Sequence, residues 1–396
     1  MERVQFQQEQ MLPELNDLEE KGIFTKLEVK QILKKRTAFE TSLVRRVARK
    51  SDYIQYVAYE MQLEALRRKR VRRLRLSGGK KTISDYALVR RQLHILERAV
   101  GKFKDDVALW VQYIKLAQRE GARTLAGKLC ARALRLHPTV PALYVLAAAH
   151  ELAHLSPATA RTLLQRGLRL NGESVELWRE YLRMELVYAD SLRKRWDALG
   201  VARDDQESNA DGEKARQEVL DGGIACTVVE KASKAVPTVA LFEALQAVLL
   251  SHPWGSRGRV MDALHACLGR APECVRSDAR SVKLKATRTL GEEVRGAARV
   301  EAVAAACDAL ATEAVELGGS ESAAAILALA DFTAEWAAVD GQLTEYLVAR
   351  LERTLRTCGR ACGLHALRTH VDLVRDVLKD GERARRIAVR YGLLSY

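Results

Sequence analysis

Residues 109–181 read LWVQYIKLAQREGARTLAGKLCARALRLHPTVPALYVLAAAHELAHLSPATARTLLQRGLRLNGESVELWREY. Within them Leu109-Trp110, Leu143-Tyr144 and Leu177-Trp178 stand 34 residues apart, twice in succession and without a gap. The same register extends upstream. Ile95, Leu129 and Leu163 correspond, as do Arg98, Arg132 and Arg166, then Ala99, Ala133 and Gly167, then Val100, Leu134 and Leu168. A period of this length belongs to helix-pair repeats, in which one pair is too small to bury its apolar face and must stack on the next. The punctuation fits: Asp105 or Asp106 as an N-cap, Pro138 and Pro141 between helices, Asn171-Gly172 and Ser174 before the next start. Trp110 and Tyr113, like Trp178 and Tyr181, lie three apart and share a helix face, where both rings can pack on a neighbouring helix. In the second helices a small residue (Ala99, Ala133, Gly167) follows four after a large one, as close helix crossing requires.

Working outward, Tyr53, Tyr56 and Glu60 repeat the spacing of Trp178, Tyr181 and Glu185, and a basic insertion at about 66–85 reads as an enlarged connection inside that first pair. Residues 197–221 are polar and acidic and break the period. The repeats then resume: VVEKAS at 228–233 resembles LCARAL at 129–134, and Pro237 precedes Leu241, Phe242 and Leu245. From about 255 the pattern becomes alanine-rich, with Gln342–Cys358 and the final GERARRIAVRYGLLSY still amphipathic. At the start, Gly22 ends one helix, and Thr25 with Glu28 forms a capping box that opens the next, Leu27 to about Leu43. The expected organisation is an N-terminal helical element (1–50), clear repeats (51–190), a polar acidic linker or insertion (191–221) and degenerate C-terminal repeats (222–396). The fold class is all-α, an α-solenoid of antiparallel helix pairs.

Composition agrees. The chain has 396 residues, 48% of them apolar, enough to bury a core, while aromatics are 6% and prolines number 7. That is a helix-forming mixture. The chain has no long uncharged apolar run and opens MERVQFQQEQ, without the pattern of a signal peptide, so a soluble intracellular protein is expected. The seven cysteines (Cys130, Cys226, Cys267, Cys274, Cys307, Cys358 and Cys362) are scattered through helical patterns and read as small buried hydrophobes rather than disulfides.

The net charge is +14, and residues 26–81 hold 18 Lys and Arg against 5 Asp and Glu, nearly the whole excess. Arg67, Arg68, Lys69, Arg70, Arg72, Arg73, Arg75, Lys80 and Lys81 run without an acidic residue between them. Such a run repels itself, and a polyanion relieves the repulsion. It reads either as a phosphate-docking arm or as a solvated face that serves nuclear import; both point to the nucleus. No aromatic residue interrupts it, so any contact is with phosphates rather than stacked bases.

Catalytic signatures are missing. There is no phosphate-binding loop, dinucleotide fingerprint, nucleophile elbow or H-E-x-x-H zinc motif, and Gly78-Gly79 beside Lys80-Lys81 lacks the Ser or Thr of a phosphate loop. Cys358, Cys362 and His365 share a helical face but lack a fourth ligand, so packing is the better reading. The expectation is a non-enzyme with no cofactor, no metal, no membrane span and no small-molecule substrate.

The aromatic-x-x-aromatic-x-x-x-Glu pattern resembles half-a-TPR (HAT) repeats, complete in Tyr53, Tyr56, Glu60 and in Trp178, Tyr181, Glu185. Two copies depart from it. Trp110 and Tyr113 are followed by Ala117 where Glu is expected, and Tyr144 and Glu151 flank Ala147 where the second aromatic is expected. Further, QMLPELNDLEEKGIFTKLEVKQILKKRTAFE at 10–40, DYIQYVAYE at 52–60, LRRKRVRRL at 66–74 and ELWREYLRMEL at 176–186 resemble the U3 small nucleolar RNA-associated protein 6 family. The resemblance implies a non-catalytic scaffold in the nucleolus, a subunit of the UTP-B subcomplex of the small-subunit processome (90S pre-ribosome). Its implied partners are WD-repeat and other protein subunits, the 5′ external transcribed spacer of pre-rRNA and the U3 snoRNP. The other readings are a HAT scaffold of splicing or mRNA 3′-end processing, and a helical-repeat protein that reads RNA bases directly.

Overall fold

The structure is a computed structural model that describes residues 2–47, 49–75, 82–199, 217–251, 253–290, 296–316, 319–337, 341–358 and 363–393. All regular secondary structure among these residues is helical, the all-α class expected from the 34-residue period. No helix among them is long and apolar enough to cross a membrane. The chain divides into two compact units, Met1–His154 and Leu155–Tyr396.

The first unit holds α1 (Glu2–Glu20), α2 (Lys26–Leu43), α3 (Lys50–Arg73), α4 (Ser84–Lys102), α5 (Val107–Arg119), α6 (Arg123–Leu136) and α7 (Pro141–Ala153). Each packs on the next, and α1 also reaches α4. Connections of a few residues force neighbours antiparallel. The capping box is formed as its sequence dictates: the Glu28 amide donates to the Thr25 hydroxyl at 3.3 Å and the Thr25 amide to Glu28 Oε2 at 2.9 Å. Gly22 before it takes φ +65°, the left-handed conformation that closes α1 without a Cβ clash. Asp106, rather than Asp105, caps α5 by accepting from the Ala108 and Leu109 amides. Met11, Leu15, Leu18, Ile23, Phe24, Ile32, Leu63 and Leu88 form the core of the first four helices.

In the second unit α8 (Pro157–Leu170) pairs with α9 (Val175–Leu199). The helix α9 thus runs through the first residues of the polar stretch, and 200–216 lie outside the described residues. The repeats resume with helices Gly223–Ala235 and Val239–Leu250. The alanine-rich region forms Ala297–Glu316, Gly319–Trp336 and Gly341–Cys358, which pack together and bury Val303, Cys307, Leu310, Leu329, Phe332, Leu347 and Leu351. Ala311, Ala314, Ala325 and Ala328 are buried with them, and such small side chains let helix axes approach. Cys130, Cys267 and Cys307 are buried as expected, but Cys274 is exposed on the short helix Glu273–Arg276, and Cys362 lies outside the described residues.

Candidate nucleic-acid interface

The repeat motif is an interior feature. Tyr53, Tyr56, Glu60, Trp110, Tyr113, Tyr144, Trp178, Tyr181 and Glu185 are buried, and Glu151 is half-buried. Tyr56 stacks on Phe39, with ring centroids 5.0 Å apart and planes 9° from parallel. The two tryptophans serve a second purpose. The Trp110 indole N–H donates to the Lys104 carbonyl at 2.9 Å, and Trp178 does the same to Gly172 at 2.8 Å, each closing the loop six residues earlier. The small residues close the second helices alike: Phe103, His137 and Asn171 donate their amides to Ala99, Ala133 and Gly167, all at 2.8 Å.

The motif glutamates hold arginines from the preceding helix, a pairing that the aromatic spacing alone does not reveal. Glu60 accepts from Arg36 Nε and Nη2 at 2.7 and 2.8 Å, and Glu185 accepts from Arg161 at 2.7 and 2.6 Å. Both arginines lie 24 residues before their glutamate. In the degenerate copies Ala117 stands 24 after Leu93, and Glu151 stands 24 after Gly127. Glu151 forms no ion pair with a described residue. Around Arg36 the network widens, since Glu14 takes both Arg36 and Arg91 and so ties α1, α2, α3 and α4 together. The readable signal was the repeated Arg-to-Glu spacing; Arg36 was concealed at the end of Lys34-Lys35-Arg36.

The basic run is divided by the helix that carries it. It begins as the last turns of α3 rather than as a loop, which places cations beside the negative end of the helix dipole. Arg67, Arg68 and Arg70 turn toward carboxylates that are remote in sequence. Arg67 is buried and binds Glu64 at 2.7 Å and Asp85 at 3.2 Å; Arg68 bridges Glu64 at 2.7 Å and Glu120 at 2.5 Å. Arg70 binds Glu28 and the Ile23 carbonyl and lies over the Phe24 ring, and its hydrogen bonds hold the Glu28 carboxyl down to about 2. Lys69, Arg72, Arg73 and Arg75 are exposed and form no ion pair with a described residue. Lys69, Arg72 and Arg73 share one face of α3 at helical spacing, and Arg75 follows in the left-handed region at φ +53°. Lys80 and Lys81 lie outside the described residues. Among the described residues of the run, the charge available to a polyanion therefore resides in Lys69, Arg72, Arg73 and Arg75, while the other three arginines fasten α3 to its neighbours.

The recurrent Arg98, Arg132 and Arg166 do not form a common row of free guanidiniums. Arg98 binds Glu40 at 3.0 Å, Arg132 binds Glu97 at 2.6 Å and covers the Trp110 ring, and Arg166 is exposed. No group of three metal-capable side chains exists among the described residues. His365 instead binds Asp331 at 3.1 Å, and the Cys358 thiol donates to the Ala314 carbonyl.

Residues 8–91, which include α2, α3 and the divided basic run, match the family described as U3 small nucleolar RNA-associated protein 6. Curated relatives bearing that name are 45% identical over 199 residues in Schizosaccharomyces pombe (50% of this chain, 41% of the relative), and 40% identical over 194 residues in Mus musculus (49% and 32%). A third, from Homo sapiens, is 37% identical over 225 residues (57% and 37%). The matched region thus spans well under half the length of each relative. Over residues 8–91 the chain is similar to the U3 small nucleolar RNA-associated protein 6 family, and over about half its length to curated proteins of that name.

Proposed function

We propose that this protein is a non-catalytic scaffold of U3 snoRNA-dependent pre-rRNA processing, acting in the nucleolus within the UTP-B subcomplex of the small-subunit processome. The observation that carries this reading is the match of residues 8–91 to the U3 small nucleolar RNA-associated protein 6 family. The physical features agree with it. Packing, ion pairs and loop closure account for the recurrent aromatics, for Glu60 and Glu185 and for Arg98 and Arg132, and an array of helix pairs suits a scaffold that holds partner proteins. WD-repeat subunits are the partners the family resemblance implies. The exposed Lys69, Arg72, Arg73 and Arg75 supply electrostatic docking on the phosphates of the 5′ external transcribed spacer or of U3, which is salt-sensitive and tolerant of sequence.

A base-reading repeat fits less well. Such a code needs free, variable polar side chains at fixed positions, whereas Arg98 and Arg132 are identical and engaged with carboxylates. Ultraviolet crosslinking of the chain in nuclear extract, followed by RNA sequencing, tests the proposal. Reads in U3 and the 5′ spacer are expected, and they should fall in a Lys69→Gln/Arg72→Gln/Arg73→Gln/Arg75→Gln variant. Reads spread over pre-mRNA introns or 3′ ends would move the scaffold to mRNA processing.

A further inference from the structure

The second unit has a charge surplus of its own. Residues 341–396 carry 11 Lys and Arg against 6 Asp and Glu, although the chain outside 26–81 is almost neutral. Two of those cations, Arg356 on helix Gly341–Cys358 and Arg383 on helix Gly381–Arg390, converge on one carboxylate. The helices are joined by Arg383, which binds Glu352 at 2.8 Å, and the same carboxylate also takes Arg356 from its own helix. Glu352 is therefore shared by two guanidiniums and neutralises only one.

Helical register extends this cluster. Arg383, Arg386 and Arg390 fall at i, i+3 and i+7, one stripe beside the buried Ala384, Ile387 and Ala388. Arg386 and Arg390 are exposed, as is Arg353 next to Glu352, and none of the three forms an ion pair with a described residue. Glu382, one turn before Arg386, is exposed and likewise unpaired with any described residue. The field is felt in the interior as well. His370 is fully buried and pushed down to about 4, chiefly by burial, with Arg383 and Arg356 acting in the same direction against the opposing pull of Glu352.

We propose that the arginine stripe of helix Gly381–Arg390 (Arg383, Arg386 and Arg390), with Arg356 tied to it through Glu352, is a second binding site for the phosphate backbone of RNA. The site rests on the reading of the chain as an RNA-associated scaffold. Guanidinium groups match phosphate oxygens with paired N–H donors, so a stripe of them suits a backbone rather than a base edge. A protein partner is the poorer fit, because interface cores exclude charge and rely on apolar anchors. On Gly381–Arg390 the only large apolar side chain exposed is Val389.

The test uses the full chain and a mixed-sequence RNA hairpin, with binding measured across a series of KCl concentrations. Arg386→Gln/Arg390→Gln should lower the slope of log affinity against log salt by about 1.4–1.8, at roughly 0.7–0.9 for each phosphate that is no longer neutralised. Its unfolding midpoint should not move, since both side chains are exposed. A parallel Arg72→Gln/Arg73→Gln variant separates the two sites. If it flattens the slope while Arg386→Gln/Arg390→Gln does not, the second site is refuted and the N-terminal one stands. If neither variant changes the slope, direct RNA binding at both places is refuted.

Discussion

The Arg36 guanidinium and the Glu60 carboxylate form a two-bond ion pair from α2 to α3 in which neither side chain is exposed to solvent. Arg161 and Glu185 repeat it at the same separation in the second unit, with Arg161 half-buried over the Tyr188 ring. The glutamate of the repeat motif is thus a receptor for an arginine of the preceding helix, and the degenerate copies lack that arginine.

Removing Arg36 strands the buried Glu60 carboxylate, and removing Glu60 leaves Arg36 with Glu14 alone, a carboxylate that Arg91 already shares. Arg36→Ala or Glu60→Gln should destabilise the first unit by about 3–5 kcal/mol. Replacement of both by apolar residues, Arg36→Met with Glu60→Leu, should recover much of the loss, because desolvation of two charges is avoided. Urea unfolding followed by circular dichroism checks this. Equal damage from the double and single variants would show that the pair is needed for geometry beyond its charge balance.

Trp178 combines burial with loop closure. Trp178→Ala should cost about 3–5 kcal/mol, the usual large-to-small loss in a core. Trp178→Phe keeps part of the aromatic packing but removes the donor to Gly172, which costs about 1–3 kcal/mol for the unpaired carbonyl in addition to the lost ring volume. Partner binding should fall only as far as unfolding does. A Trp178→Ala protein of normal thermal stability that no longer bound partners would place this ring in an interface.

Acid should loosen the second unit through His370. Its folded pKa is lowered to about 4 while the unfolded chain has the ordinary value of 6.5. The unfolded state therefore binds the proton first, so stability is full above about pH 6.5 and is lost as pH falls toward 4. The limiting slope is about 1.4 kcal/mol per pH unit. His370→Gln should flatten that limb in unfolding curves collected between pH 7 and 4. An unchanged limb would assign the acid sensitivity to other groups.

The basic run should split under mutation as it does in the structure. Arg67→Gln/Arg68→Gln should lower the thermal midpoint, because Arg67 is buried against Glu64 and Asp85. Arg72→Gln/Arg73→Gln should leave the midpoint unchanged and weaken RNA binding, with a shallower salt dependence. The reverse pattern in thermal scans and filter binding would contradict the division.

Periodic features were legible in the sequence because they are local. The 34-residue spacing gives the helix pairs, the Thr25–Glu28 box gives the start of α2, and Pro141 falls at the first turn of α7. Features that depend on which helices meet were not. Nothing in LRRKRVRRL distinguishes Arg67, Arg68 and Arg70 from Lys69, Arg72 and Arg73, since the carboxylates that take the first three lie at Glu28, Asp85 and Glu120 as well as at nearby Glu64. The helix face decides the matter, and the face is set by packing. The same holds for Arg383 and Glu352, which lie 31 residues apart on helices whose pairing no short-range pattern announces.

The central claim, a scaffold of U3-dependent pre-rRNA processing, is tested most directly by affinity purification of the tagged chain from nuclear extract at moderate salt, with mass spectrometry of proteins and sequencing of RNA. The account predicts WD-repeat proteins together with U3 snoRNA and 5′ spacer RNA. Recovery of spliceosomal or 3′-end processing factors without U3 would contradict it.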